Sequence, residues 1–100
     1  MNSCTDITRD LLPNPIIVDT GSETPDFGAA RNIAFDRARS ISSDPMLLAW
    51  FDKAAGKFSP DVICCNTEKP SWLVYAESRG GDISVDINDQ DYVFVFAGEA

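Results

Sequence analysis

Residues 71–80 read Ser71-Trp72-Leu73-Val74-Tyr75-Ala76-Glu77-Ser78-Arg79-Gly80, and whether they form a helix or a strand decides the fold. Val74 and Tyr75 favour a strand, because branched and aromatic side chains suit a pleated surface. The frame favours a helix. Ser71 is a good N-cap, Arg79 suits the negative end of the helix dipole, and Gly80 accepts the left-handed backbone that closes a helix. Trp72, Tyr75, Ala76 and Arg79 also share one face at helical spacing. Helix is the better reading, with strand as its alternative.

Downstream, Ile83, Val85 and Ile87 alternate with Ser84, Asp86 and Asn88, the pattern of a strand with one face in water. Asn88 to Asp91 is a turn, and Tyr92 to Phe96 a wholly apolar strand. Upstream, Met46 to Phe51 reads as a strand, Asp52 to Gly56 as a hairpin loop and Lys57 to Cys64 as the returning strand. Pro60 interrupts that return and argues for an edge position or a bulge, since proline cannot donate to a ladder. Before the hairpin, Phe27, Ala30, Ile33, Ala34, Arg37, Ala38 and Ile41 recur on one helical face. Thr24 would cap this helix, Pro25 would open it, and Ser42-Ser43-Asp44-Pro45 would stop it. Pro15 to Asp19 is a candidate first strand, preceded by a flexible lead-in over residues 1–14, so that residues 15–100 form a single domain.

The order is β-α-β-β-α-β-β. An α+β two-layer sandwich fits it, with two helices on one face of an antiparallel-rich sheet. The first six elements match ferredoxin-like order. That topology would make the third strand central, where Pro60 is awkward.

Composition narrows the function. The 100 residues, 44% apolar and 24% charged, describe one globular domain that buries about 65% of its unfolded surface. Histidine is absent, which removes imidazole general bases and imidazole zinc motifs. The net charge of −8 opposes nucleic acid and anionic membranes. The one basic cluster, Arg31, Arg37 and Arg39, contains Asp36. Cys4, Cys64 and Cys65 are odd in number and form no secreted disulfide framework. The N-terminus lacks the basic region of a signal peptide, and no apolar run approaches a membrane span. The expectation is a cytoplasmic protein with no cofactor, binding neither nucleic acid nor membrane.

Two strands are apolar on both sides. Met46, Leu48 and Trp50 form one column against Leu47, Ala49 and Phe51; Tyr92, Phe94 and Phe96 form one against Val93 and Val95. If both helices cover one sheet face, something must cover the other. The N-terminal segment with Leu11 and Leu12, a second subunit or a ligand could do so, and a strand that is simply central needs no partner. The leading expectation is a non-enzymatic domain that forms a homodimer or binds another protein through an apolar sheet face, using Trp50, Phe51, Tyr92 and Phe94. The alternative is a metal or small-molecule site built from Cys64 or Cys65 with Trp72, Tyr75 and Arg79. Adjacent thiols in an extended strand point to opposite faces, so such a site needs a turn there. Ser78-Arg79-Gly80-Gly81 is neither an RGG repeat nor a phosphate loop; it reads as a helix end. Asp89 and Asp91 read as solvated turn residues. Catalysis would fall to carboxylates, Tyr75, Tyr92 or a thiol.

Ala49-Trp50-Phe51-Asp52-Lys53, Gly56-Lys57-Phe58-Ser59-Pro60, Trp72 to Gly81 and Asp91-Tyr92-Val93-Phe94 together resemble a family of short prokaryotic proteins, frequent in anaerobic bacteria and archaea, that is catalogued as a domain of unknown function. The likeness covers about residues 46–96 and leaves the first 45 outside. It implies a stand-alone cytoplasmic domain and assigns no catalytic residue.

Overall fold

A computed structural model describes residues 9–21, 23–59 and 70–98 of the protein. A short 3-10 turn, Arg9–Leu11, leads into β1, Pro15–Val18. The helix α1, Phe27–Arg39, is followed by the hairpin β2, Met46–Asp52, and β3, Lys57–Ser59. Then come α2, Ser71–Ser78, and the hairpin β4, Ile83–Ile87, and β5, Tyr92–Ala97. The fold is α+β, with two helices and one five-stranded mixed sheet among the described residues, in the order β1-β4-β5-β2-β3. Only β1 and β4 pair in parallel; the other pairs are antiparallel.

Residues 71–78 are helical, as the frame implies. Pro70 holds the N-cap position without a side-chain bond, and Ser71 begins the helix proper. The C-terminal end carries the information. Gly80 sits at φ 90°, its N–H donates to the Glu77 carbonyl, and the Gly81 N–H donates to the Ala76 carbonyl at 2.8 Å. This pair of bonds is a Schellman closure, and it turns the chain straight into β4. A Cβ on Gly81 would lie 2.8 Å from the Ala76 carbonyl oxygen and 3.0 Å from a Val95 methyl. Gly81→Ala should therefore cost about 2 kcal/mol, the usual range for overpacking, measurable as a shifted urea midpoint at unchanged slope. An unshifted midpoint would show that the closure yields freely.

α1 begins one residue after Asp26, not at Pro25. The expected Thr24 cap is replaced by Asp26, whose carboxylate accepts the Ala29 N–H at 2.8 Å. A carboxylate at that position also meets the positive end of the helix dipole. Ala30, Ala34 and Ala38 are fully buried, so the helix backbone lies close against the sheet. Phe27 and Phe35 fill the flanks. Phe27 meets Trp50 edge-on at 4.7 Å and Phe94 at 5.6 Å, and Phe35 meets Phe96 at 4.9 Å. Ile41, expected on the buried face, follows the helix end and is exposed.

The expected placement of both helices on one sheet face is corrected. α1 packs on Ile83, Val85, Ile87, Tyr92, Phe94 and Phe96. α2 packs through Trp72, Leu73 and Ala76 on Ala49, Val93 and Val95, joined by Leu12. Alternate residues of β5 thus feed different cores, which places the helices on opposite faces. This is why β5 is apolar in both columns. Its neighbours are β4 and β2, its two faces carry α1 and α2, and each of its residues is buried.

The ferredoxin-like order is corrected too, because β3 lies at an edge and not in the centre. β3 is described as far as Ser59; Pro60 and the rest of the expected return strand lie outside the described residues. Nor does β4 have a solvated face. Ser84 and Asp86 are fully buried on the side opposite Ile83, Val85 and Ile87.

Candidate functional site

The aromatic residues expected at an interface are engaged within the chain. Phe94 is fully buried and Tyr92 nearly so, both in the α1 core. Phe51 stacks on Trp72, with rings at 5.6 Å and 7° apart, and Trp50 lies half-buried against Phe27. The second face is covered by α2, which was expected on the other side, and Leu12 of the N-terminal segment joins it there.

Of the residues of the thiol alternative, the structure brings Tyr75 and Arg79 together and buries Trp72. Trp72 is in the core, whereas Arg79 lies on the surface with its guanidinium 5.1 Å from the Tyr75 ring. Cys4, Cys64 and Cys65 fall outside the described residues, as do Asp61 and Glu68. Among the described residues no group of three His, Cys, Asp or Glu side chains could hold a metal ion. No helix among them is long and apolar enough to cross a membrane. Two of the three clustered arginines lie over one ring, Arg31 at 4.7 Å and Arg39 at 5.7 Å from the centre of Phe35.

A cleft of about 220 Å³ opens between Asn14, Ile41, Ser42, Asp82, Ile83 and Gly98. Its polar atoms are bonded to one another. The Gly98 N–H donates to the Asp82 carboxylate at 2.8 Å, and the Ser42 hydroxyl donates to the Gly98 carbonyl. At the opposite end of β5, burial raises the Tyr92 phenol above its ordinary pKa, with help from the Asp52, Asp26 and Asp91 carboxylates. The folded state therefore favours the neutral phenol, and stability present below pH 10 falls as pH rises past it. Tyr92→Phe should flatten this alkaline loss in denaturant titrations. An equal loss in the variant would assign it to other groups.

The sheet's two edges differ in kind. β3, described as far as Ser59, starts with Lys57. A charged lysine is one of the ways natural sheets blunt an edge. β1 is Pro15-Ile16-Ile17-Val18, without a charge until Asp19, and Ile17 is 47% exposed. Val18 accepts the Asn88 N–H at 2.8 Å, so its backbone turns toward β4. Strand alternation then turns Ile16 the same way and aims the backbone of Pro15 and Ile17 outward. The missing N–H of Pro15 faces the free side, where proline is tolerated.

Both ends of this edge strand are pinned by asparagines. The Asn14 side chain donates to the Asp82 carbonyl at 2.8 Å. The Asn88 side chain accepts the Thr20 N–H at 2.9 Å and donates to the Thr20 hydroxyl at 2.8 Å. The edge strand is thus held extended within the domain. Sequence reading found the strand but missed its position. The available signal was the contrast between an uncharged β-branched run and a return strand that opens on Lys57.

The sequence matches, over residues 13–96, the family described as a domain of unknown function, DUF5619. The chain belongs to this family. The match reaches back beyond the expected limit of residue 46 and takes in β1, both asparagine clamps and α1. Among relatives of this DUF5619 chain, an uncharacterized protein of Archaeoglobus fulgidus is 38% identical over 65 residues. The alignment covers 65% of this chain and 64% of that protein's length. The fold is similar to the crystal structure of a novel protein from Archaeoglobus fulgidus DSM 4304, with a TM-score of 0.65 and 27% identity. That similarity covers 89% of this chain and 98% of the other.

Proposed function

We propose that this domain acts by binding another polypeptide, not by catalysis, and that it does so by adding a strand to the β1 edge. One observation carries the reading: among the described residues β1 is a clamped, uncharged outer strand whose Ile17 is half exposed, while the opposite edge strand opens on a lysine. Strand addition draws affinity from main-chain hydrogen bonds and selectivity from alternate side chains. A strand already fixed in its extended form loses little entropy on pairing. The role of the aromatics changes accordingly. Trp50, Phe51, Tyr92 and Phe94 build the platform, and the contact moves to Ile17.

A display selection of extended ten-residue peptides tests this. Binders to the wild-type domain should lose at least about tenfold in affinity on Ile17→Pro, which deletes the outward N–H. That is roughly 1.4 kcal/mol, the size of a lost hydrogen bond. Binders indifferent to Ile17→Pro, or a selection that yields none, would remove the basis for the reading.

A further inference from the structure

We propose that the strand taken up by β1 is β1 of a second copy, paired antiparallel about a twofold axis at Ile17. This rests on the strand-addition reading and specifies its occupant. The backbone is self-complementary in that register. Ile17 faces Ile17 of the second copy, and each N–H donates to the other's carbonyl, the closely spaced pair of an antiparallel ladder.

Two residues away, Pro15 faces Asp19 of the second copy. Pro15 offers only a carbonyl, and the outward Asp19 N–H donates to it. The absent proline N–H leaves the Asp19 carbonyl of the second copy to water, so each flanking pair supplies one hydrogen bond in place of two. Among the described residues neither Pro15 nor Ile17 has a hydrogen bond outside the β1–β4 ladder. Between them, Ile16 faces Val18 of the second copy. Asp19 meets a proline and not the other Asp19, so no like charges stand directly opposite, the arrangement that would oppose pairing. The two exposed Ile17 side chains fall on the same face and cover each other. A isologous contact of this kind closes at two copies and continues both sheets into one of ten strands, from five in each.

The contact is small, so the dimer is weak, with a dissociation constant on the order of 100 µM, as expected of interfaces well below about 1,200 Å². Sedimentation velocity at rising concentration tests it with three proteins: wild type, Ile17→Pro and Ile17→Glu. Because the Ile17 N–H points away from β4, the proline variant keeps the internal ladder; the glutamate variant keeps the backbone and sets two like charges opposite each other. The expected result is a wild-type mass rising from 10.9 kDa toward twice that, with both variants monomeric and native by circular dichroism at the same concentrations. A wild type that stays monomeric to about 1 mM overturns self-pairing, and the peptide selection then decides strand addition separately. Variants that dimerise like the wild type overturn self-pairing through β1, and the peptide selection again decides strand addition separately. If Ile17→Pro fails to fold, Ile17→Glu alone decides.

Discussion

Trp72→Ala should destabilise the domain by about 4 kcal/mol, the usual cost of deleting a buried aromatic, and leave it largely unfolded at 37 °C. Trp72 has no exposed surface, lies parallel to Phe51 at 5.6 Å and joins α2 to Ala49, Val93, Val95 and Leu12. It is the largest side chain in the core on that face, so no neighbour can fill the space it leaves. Its indole N–H is buried without a hydrogen-bond partner, so it contributes packing and no polar bond. Trp72→Phe separates these contributions. It keeps a ring against Phe51 and removes the unpaired donor, and its loss should be less than half that of alanine. Thermal melts of both variants measure the difference. Equal losses would show that the Trp72 ring does not hold this face together.

Asp86→Ala should cost about 3 kcal/mol, by removing two strong hydrogen bonds from a fully buried site. In a domain of this size that lowers the melting temperature by about 15 °C. Asp86 lies in β4, and its carboxylate accepts the Gln90 N–H at 2.6 Å and the Gln90 side-chain amide at 2.5 Å. Those bonds hold a costly turn. Asn88, Asp89 and Gln90 take φ of 53°, 58° and 70°, three left-handed residues in a row without a glycine. Such conformations persist only where the surroundings enforce them. The same turn presents Asn88 to Thr20, so loss of Asp86 should also loosen the far end of β1. Amide exchange at Thr20 should quicken in Asp86→Ala. Unchanged exchange there would separate the turn from the edge strand.

The helices were legible because their ends are local. Gly80 closes α2 through its own backbone, and the alanine spacing of α1 states which side is buried. Strand order is not local, and the misread features follow from that. The doubly apolar β5 pointed to an external cover only as long as both helices were placed on one face; with one on each face it is simply central. Ser84 and Asp86 looked like a solvated column, because alternation of polar and apolar residues does not distinguish a solvated face from a buried one. Asp86 finds its partner four residues later in Gln90, a contact that needs the left-handed turn to form. The exposed edge was half legible. Pro15 and the uncharged run were visible, but only the parallel pairing of β1 with β4 shows which backbone groups are free.

The most direct measurement is residue-resolved amide exchange along β1 at two protein concentrations. In dilute protein the Ile16 and Val18 amides, which face β4, should be protected while Ile17 and Asp19 exchange nearly as in a free chain. In concentrated protein Ile17 and Asp19 should slow, and Ile16 and Val18 should not change. An Ile17 amide already protected at dilution would mean that the edge is covered within the chain; one that stays fast at every concentration would mean that no second copy pairs there.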